Sequence, residues 1–496
     1  MGPSTTNPAT AYSISLSPVA TTGTTNVGNL TQESADKVSE LLMINNALYH
    51  ARFNDAGFHN HIVHHLLALW ALGSTPTEIQ DLYDYNKSYQ APLKRQPASV
   101  SVGLKDKAFF RENMGKAEYY ADFVRFFQDE IAERGVPDVV NEYLLKGDEF
   151  ANDIFGRMHS GFMHPLIHLG CGIEFQQPCT VAESLAAACI HDDWPKDFLF
   201  PTEEYVNQNP TATSKPLFEI LDGLRNDPEI LTAVRPSDPL NKISDGLMKR
   251  AKEQLVPHLA QFRVQASMED IKRQTEEMMY TCTYMTGAAQ RPGKKETLDF
   301  IMMHAATTSV FYPAIMAQDW ISDSNKARLL EAKARSDAIM YAGCGSPALY
   351  PDRITEYTAR HPADGWPELI RRANKYRDDG HVVKMIRALF ALETLEENPA
   401  TGFPLARSDF IKIAHLTLDA VERAHENDGA FIPEPMANGV RNHVGRGGEM
   451  VLGNMSRWVY YTGLEGSWDL FPNLETSGAE EVSASKPIPF LGEVTV

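Results

Sequence analysis

Apolar positions recur along most of this chain at the three- and four-residue steps of an α-helix, and two-residue alternation is scarce. Ser34 to Tyr49 carries its apolar side chains at that spacing behind Thr31, whose hydroxyl suits an N-cap. Phe58 to Leu72, apolar apart from His59, Asn60, His61, His64 and His65, reads as a buried helix ended by Gly73, after which Pro76 opens a helix reaching about Tyr89. Gly115 to Arg134 gathers Tyr119, Phe123, Phe126, Phe127 and Ile131 on one side. The same period predicts helices over Val181 to Cys189, Lys215 to Leu224, Ile243 to Phe262, Met268 to Met285, Leu298 to Met316 and Ser322 to Tyr341. Nearer the C-terminus it predicts Trp366 to Tyr376, His381 to Leu395 and Ser408 to His425. Joints are expected near Phe200-Pro201, Arg291-Pro292-Gly293 and Pro433-Glu434-Pro435. No internal repeat stands out, which sets a solenoid aside. The expected fold is all-α: one large irregular helical domain over residues 31–496. Residues 1–30, rich in Ser, Thr, Ala and Gly and nearly free of charge, are expected to form a flexible tail.

Composition narrows the function. The chain has 496 residues, 43% hydrophobic and 22% charged, enough for a large buried core. Its net charge of -19, with no basic run, argues against nucleic acid as a partner. No stretch nears the roughly 20 apolar residues of a membrane span, so no membrane partner is expected. Five cysteines, an odd number with no Cys-x-x-Cys pair, disfavour both a disulfide framework and a thiolate zinc site. A reducing compartment and a cytoplasmic location are the expectation. The sequence is silent on oligomeric state.

Candidate chemistry lies in the histidines. His61, His64 and His65 precede Leu66, Leu69 and Trp70 in an apolar run. On a helix starting at Phe58, His61 and His65 would share a face, with His64 displaced by roughly 60°. His164 and His168 repeat the four-residue step in Met163-His164-Pro165-Leu166-Ile167-His168, with Pro165 in an early turn. Leu169-Gly170-Cys171-Gly172 is expected to end that helix, leaving Glu174 for an ion pair. His304 and His381 stand singly in apolar surroundings, with Asp379 placed to cap the His381 helix and Lys384 one turn on. Any one of these, alone, is an ordinary core histidine bonded to a carbonyl. Several meeting from distant segments would instead form a metal site, since an unpaired buried imidazole costs on the order of 1–3 kcal/mol. Imidazole without thiolate suits iron, copper, nickel or zinc. A zincin is excluded, because no His-Glu-x-x-His occurs. Beside a cation, Lys384 either turns away or becomes an anionic ligand by carboxylation with carbon dioxide.

Three blocks carry a resemblance. His61-Ile62-Val63-His64-His65-Leu66-Leu67-Ala68-Leu69-Trp70, Gly161-Phe162-Met163-His164-Pro165-Leu166-Ile167-His168 with Ile173-Glu174-Phe175-Gln176-Gln177-Pro178, and Asp379-Gly380-His381-Val382-Val383-Lys384 resemble the questin oxidase-like proteins. Cys171 departs from the pattern, where an aromatic residue is expected. The resemblance implies an oxidoreductase of fungal polyketide pathways that cleaves a C–C bond of an anthraquinone to give a benzophenone-type product. The Baeyer–Villiger label attached to such enzymes would call for flavin and NADPH. The nearest Gly-x-Gly here, Gly170-Cys171-Gly172, follows a helix rather than a strand, against the dinucleotide fingerprint.

The resemblance therefore points to non-haem Fe(II), with NADPH left open as an external reductant. The expected ligands are His65, His168, His304 and His381, with Lys384 as a carboxylated fifth. Which member of each four-residue pair ligates stays open. His61, His64 and His164 would orient ligands or move protons. Phe58, Phe162, Phe175 and Tyr312 are candidates to stack on a flat polycyclic aromatic substrate, and dioxygen is the co-substrate. The alternatives are a metal-free NADPH- and flavin-dependent Baeyer–Villiger monooxygenase and a non-catalytic helical binding protein.

Overall fold

Caps decide where several helices begin. Thr31 accepts the Ser34 N–H and starts Gln32–Leu48, and Thr75 with Glu78 closes a reciprocal capping box on Pro76–Lys87. Ser267 and Ser322 start Met268–Ala288 and Asp323–Gly343 in the same way. A computed structural model describes residues 8–54, 57–211, 213–239, 241–426 and 448–474; the expected joint at Pro433-Glu434-Pro435 lies outside them. Among the described residues the extended structure amounts to isolated β-bridges, so no Rossmann-type strand–turn–helix unit is formed there. The architecture is all-α, as the periodicity predicts. No helix among them is long and apolar enough to cross a membrane.

Several boundaries differ from expectation for identifiable reasons. Leu298 to Met316 is two helices, Phe300–Ser309 and Tyr312–Met316, with Pro313 opening the second. Phe200-Pro201 is no joint but lies inside Lys196–Gln208, where the burial of Phe198, Leu199 and Thr202 outweighs the hydrogen bond that proline omits. Gly170 and Gly172 do not end their helix, which runs over Ser160–Glu174. They are there for close packing: a Cβ at Gly170 would lie 2.4 Å from the Phe311 ring, and one at Gly172 would lie 2.6 Å from Val181. Glu149–Met158 was not foreseen from the sequence, although Asp148 caps it.

One hydrophobic core links residues from Ala11 to Leu464. It begins inside the stretch expected to be a flexible tail, which lies against the body from residue 8. Ala11, Ile14 and Leu16 are buried. The Gln177 side chain accepts from Ser15 N–H at 2.9 Å and donates to its carbonyl at 3.1 Å. Thr24 donates its N–H and hydroxyl to Glu174 at 2.8 and 2.7 Å. Low charge reads as disorder in the sequence, but here it lets body side chains bond a bare backbone strap.

Burial also creates a pH dependence. Glu277 accepts the Leu217 N–H at 2.8 Å and the Thr281 hydroxyl at 3.1 Å, while its other oxygen is buried without a partner. Burial pushes its carboxyl up to about 7, against an ordinary value of 4.5. The folded state thus keeps a proton that the unfolded chain releases, and stability falls as pH rises through that window. Glu277→Gln should remove that slope, on the order of 1–3 kcal/mol. Urea unfolding of both proteins at about pH 5 and about pH 7.5 checks it.

Candidate metal centre

Four segments bring histidines together, and each is set by local structure. His61 is the N-cap of Ile62–Ala71, whose ten residues are all buried. That helix starts late because the Asn60 side chain accepts the Ile62 N–H at 3.0 Å and is itself tied to Asn45. His164 follows three left-handed residues, Gly161, Phe162 and Met163, with φ of 55°, 53° and 63°. Left-handed backbone costs roughly 1–2 kcal/mol for each non-glycine residue, so surrounding packing holds this turn in place. It directs the His164 Nδ1–H onto the Gly161 carbonyl at 2.6 Å. His304 sits on Phe300–Ser309 and donates from Nδ1 to the Phe300 carbonyl at 2.7 Å. His381 opens His381–Ala391.

The residue capping that last helix is Asp378, not Asp379. Asp378 accepts the Gly380 and Val382 N–H groups at 2.8 and 2.9 Å. Asp379 turns inward instead and bridges two imidazoles, with Oδ1 2.6 Å from His381 Nδ1 and Oδ2 3.2 Å from His61 Nδ1. Although burial opposes a charge there, His381 and His61 hold the Asp379 carboxyl well below the usual range. Burial, next to that charge, pushes Asp378 up to about 7.

These partners fix the tautomers. A carbonyl or carboxylate oxygen can only accept, so His61, His164, His304 and His381 each spend their single N–H at Nδ1. Their Nε2 atoms are left as lone pairs. Those of His304 and His381 are buried with no hydrogen-bond partner. Those of His61 and His164 face each other at 2.7 Å, two acceptors with no hydrogen between them. His61, His164 and His381 have ligand atoms all within 4.8 Å of one another. The His304 ring lies 4.9 Å from that of His164 and 5.2 Å from that of His381. Burial, reinforced by Lys384, pushes His61 and His304 down to about 3. His381 reaches about 3 through burial despite Asp379. Neutral imidazoles with Nδ1 anchored and Nε2 free are the form in which histidine binds a metal. The donor set fits a cation.

The other expected site residues lie around this group. His65 contacts Asn86 at 3.4 Å, packs under Gly380 and stands apart from the ring contacts joining the rest. His168 is held by His64 and Glu183, both at 3.1 Å. Lys384 is buried and its amine has no hydrogen-bond partner; burial brings it down to about 8 against the pull of Asp379 and Asp378. It adjoins a cavity of about 10 Å³ bounded by His64, Cys171, Thr307, Phe311 and Arg387. Glu174 forms the expected ion pair, with Arg387 at 2.6 Å.

Of the stacking candidates, Phe162 lies 5.6 Å from the His304 ring. Phe175 bounds the Lys384 cavity, Phe58 packs on Phe53, and the Tyr312 hydroxyl is tied to the Leu329 carbonyl in the core. Sequence reasoning missed the aromatic wall. Phe300 stacks on Tyr460 at 4.9 Å and meets His304 and His381 edge-on at 5.0 and 4.9 Å. Phe162, Phe300 and Tyr460 are each half-buried beside the centre. The Tyr460 hydroxyl has no hydrogen-bond partner. Phe300 begins the His304 helix, which was a visible signal; Tyr460, about 160 residues away, offered none.

Known proteins agree with a redox role. The chain is 46% identical over 472 residues to the oxidoreductase AflY of Aspergillus parasiticus, covering 94% of this chain and 95% of that one. It is 36% identical to the Baeyer–Villiger oxidase AgnL3 of Paecilomyces divaricatus, covering 93% and 96%. To a questin oxidase of Aspergillus fumigatus it is 35% identical, covering 78% and 88%. A helical oxidoreductase is what these relatives and this site define together. Residues 58–389 match the model of the questin oxidase-like family, and the chain belongs to it.

Proposed function

We propose that this protein is a non-haem iron-dependent oxygenase that cleaves a C–C bond of an anthraquinone ring, giving a benzophenone-type acid. The opposed lone pairs of His61 and His164 carry the metal reading, because a shared cation is what relieves two acceptors at 2.7 Å. The ligands we propose are His61, His164, His304 and His381, so that His61 and His164 take the place first given to His65 and His168. Iron held there would supply the reduction of dioxygen. Asp379 holds two ligand rings in one orientation, and the carbonyls of Gly161 and Phe300 hold the others.

The substrate reading rests on the names of the relatives and on the wall. We place a flat polycycle against the Phe300–Tyr460 pair, near Phe162 beside the His304 ring, where apolar contact would exclude water. Burial keeps the Tyr460 phenol protonated, with a pKa well above its ordinary value, so it donates to a quinone or phenolate oxygen. Lys384 is suited to carboxylation: a buried amine, shifted toward its neutral nucleophilic form and without a partner.

Atom balance bears on the reductant. A two-electron-reduced anthraquinone plus dioxygen already has the composition of the ring-opened acid, whereas the quinone itself needs two further electrons, as from NADPH. Oxygen uptake by protein purified without chelator, given a hydroxyanthraquinone with and without NADPH, tests the reaction. Uptake with a benzophenone acid as product, and iron by elemental analysis, is expected. Turnover by protein free of metal and showing a flavin absorbance band would overturn it. Mass spectrometry of the intact chain should also find one added carboxyl group on Lys384.

A further inference from the structure

A second line of hydrogen bonds leads away from the ligand group, and its direction can be worked out. The Asn46 amide donates to Glu183 Oε1 at 2.7 Å. Glu183 Oε2 lies 3.1 Å from His168 Nε2, and His168 Nδ1 lies 3.1 Å from His64 Nε2. As a carboxylate, Glu183 can only accept, so His168 carries its hydrogen on Nε2 and its lone pair on Nδ1. His64 Nε2 must then be the donor in the next bond. A second N–H, at Nδ1, would be buried with no acceptor, so the imidazole carries only the one already used. Its Nδ1 is therefore a lone pair, buried and without a hydrogen-bond partner.

The His64 ring stands between two cavities. One contains His168 and Glu183, and the other contains Lys384. We propose that Glu183 and His168 are a positioning pair that fixes the tautomer of His64, making its Nδ1 an obligatory hydrogen-bond acceptor on the Lys384 side of the centre. The Lys384 N–H, which has no other partner, is the donor it would hold. A second-sphere carboxylate would thus orient, through two imidazoles, a side chain that sits next to the ligands. His168 acts through His64 rather than on the metal.

Only the kinetic part of this inference rests on the proposed reaction; the tautomers belong to the protein itself. Neutron diffraction from the full-length protein as purified should show deuterium on Nε2 of both His64 and His168, and none on His64 Nδ1. In Glu183→Gln the amide oxygen stays on Asn46 and the NH2 group faces His168, so every donor in the line reverses and His64 gains deuterium on Nδ1. There kcat should fall on the order of 10–100-fold with KM for the quinone little changed, and Glu183→Asp should recover part of it. Deuterium on His64 Nδ1 in the wild type would overturn the proposal, even if no reaction is found. So would reversed tautomers in Glu183→Gln with wild-type kcat.

Discussion

Replacing His381 by alanine is expected to remove the metal and to lower kcat on the order of a thousandfold or more. The residue supplies one of three clustered ligand atoms, and its Nε2 has nothing else to bond. His61→Ala and His164→Ala should do the same. His65→Gln and His168→Gln should retain the metal, the second with impaired turnover. Asp379→Asn separates orientation from ligation: one amide cannot accept from both His61 and His381, so one ring loses its tautomer. Second-sphere losses of this kind weaken metal binding by roughly 10–100-fold. Elemental analysis and isothermal titration with ferrous ion under argon check the series. Full activity in a His381→Ala protein shown to be metal-free would end the scheme.

Arg387→Met is the change with the largest expected effect on stability, a loss of about 3–5 kcal/mol. The guanidinium is almost completely buried, pairs with Glu174 at 2.6 Å, and donates to the Thr25 carbonyl from Nε and Nη2. Removing it leaves a buried carboxylate without its cation and the Thr25 carbonyl of the strap without its donors. Adding Glu174→Met should return part of the loss by removing that charge, though the Thr24 N–H then lacks an acceptor. Urea midpoints for the two single variants and the double variant decide the matter. A loss below about 1 kcal/mol in Arg387→Met would mean the pair contributes no more than one on the surface.

Helix identity was legible wherever an apolar period met a cap, as at Thr31. That distant histidines would meet was legible too, because His304 and His381 lie in runs too apolar to leave an imidazole unpartnered. Which member of each four-residue pair faces the centre was not. That reading assumed regular helix through both members. His61 is instead the N-cap, just outside the helix that holds His65, and the left-handed turn before His164 sets its direction. Both departures depend on contacts with other segments: Asn45 anchors Asn60, and a Cβ on Gly161 would lie 2.9 Å from His59 and His191. Asp378 and Asp379 are adjacent and chemically alike, so only the chain path shows which one caps and which one bridges.

The strap has a practical bearing on recombinant work with this protein and its relatives. The matched span, 58–389, would leave out Ala11, Ile14 and Leu16 on one side and Phe410, Ile413, Trp458 and Tyr461 on the other, all core residues. A polypeptide trimmed to it would bare oily surface, lose Tyr460 from beside Phe300, and leave Arg387 short of the Thr25 carbonyl. Chimeras that swap substrate preference between relatives should therefore carry both flanks with the middle.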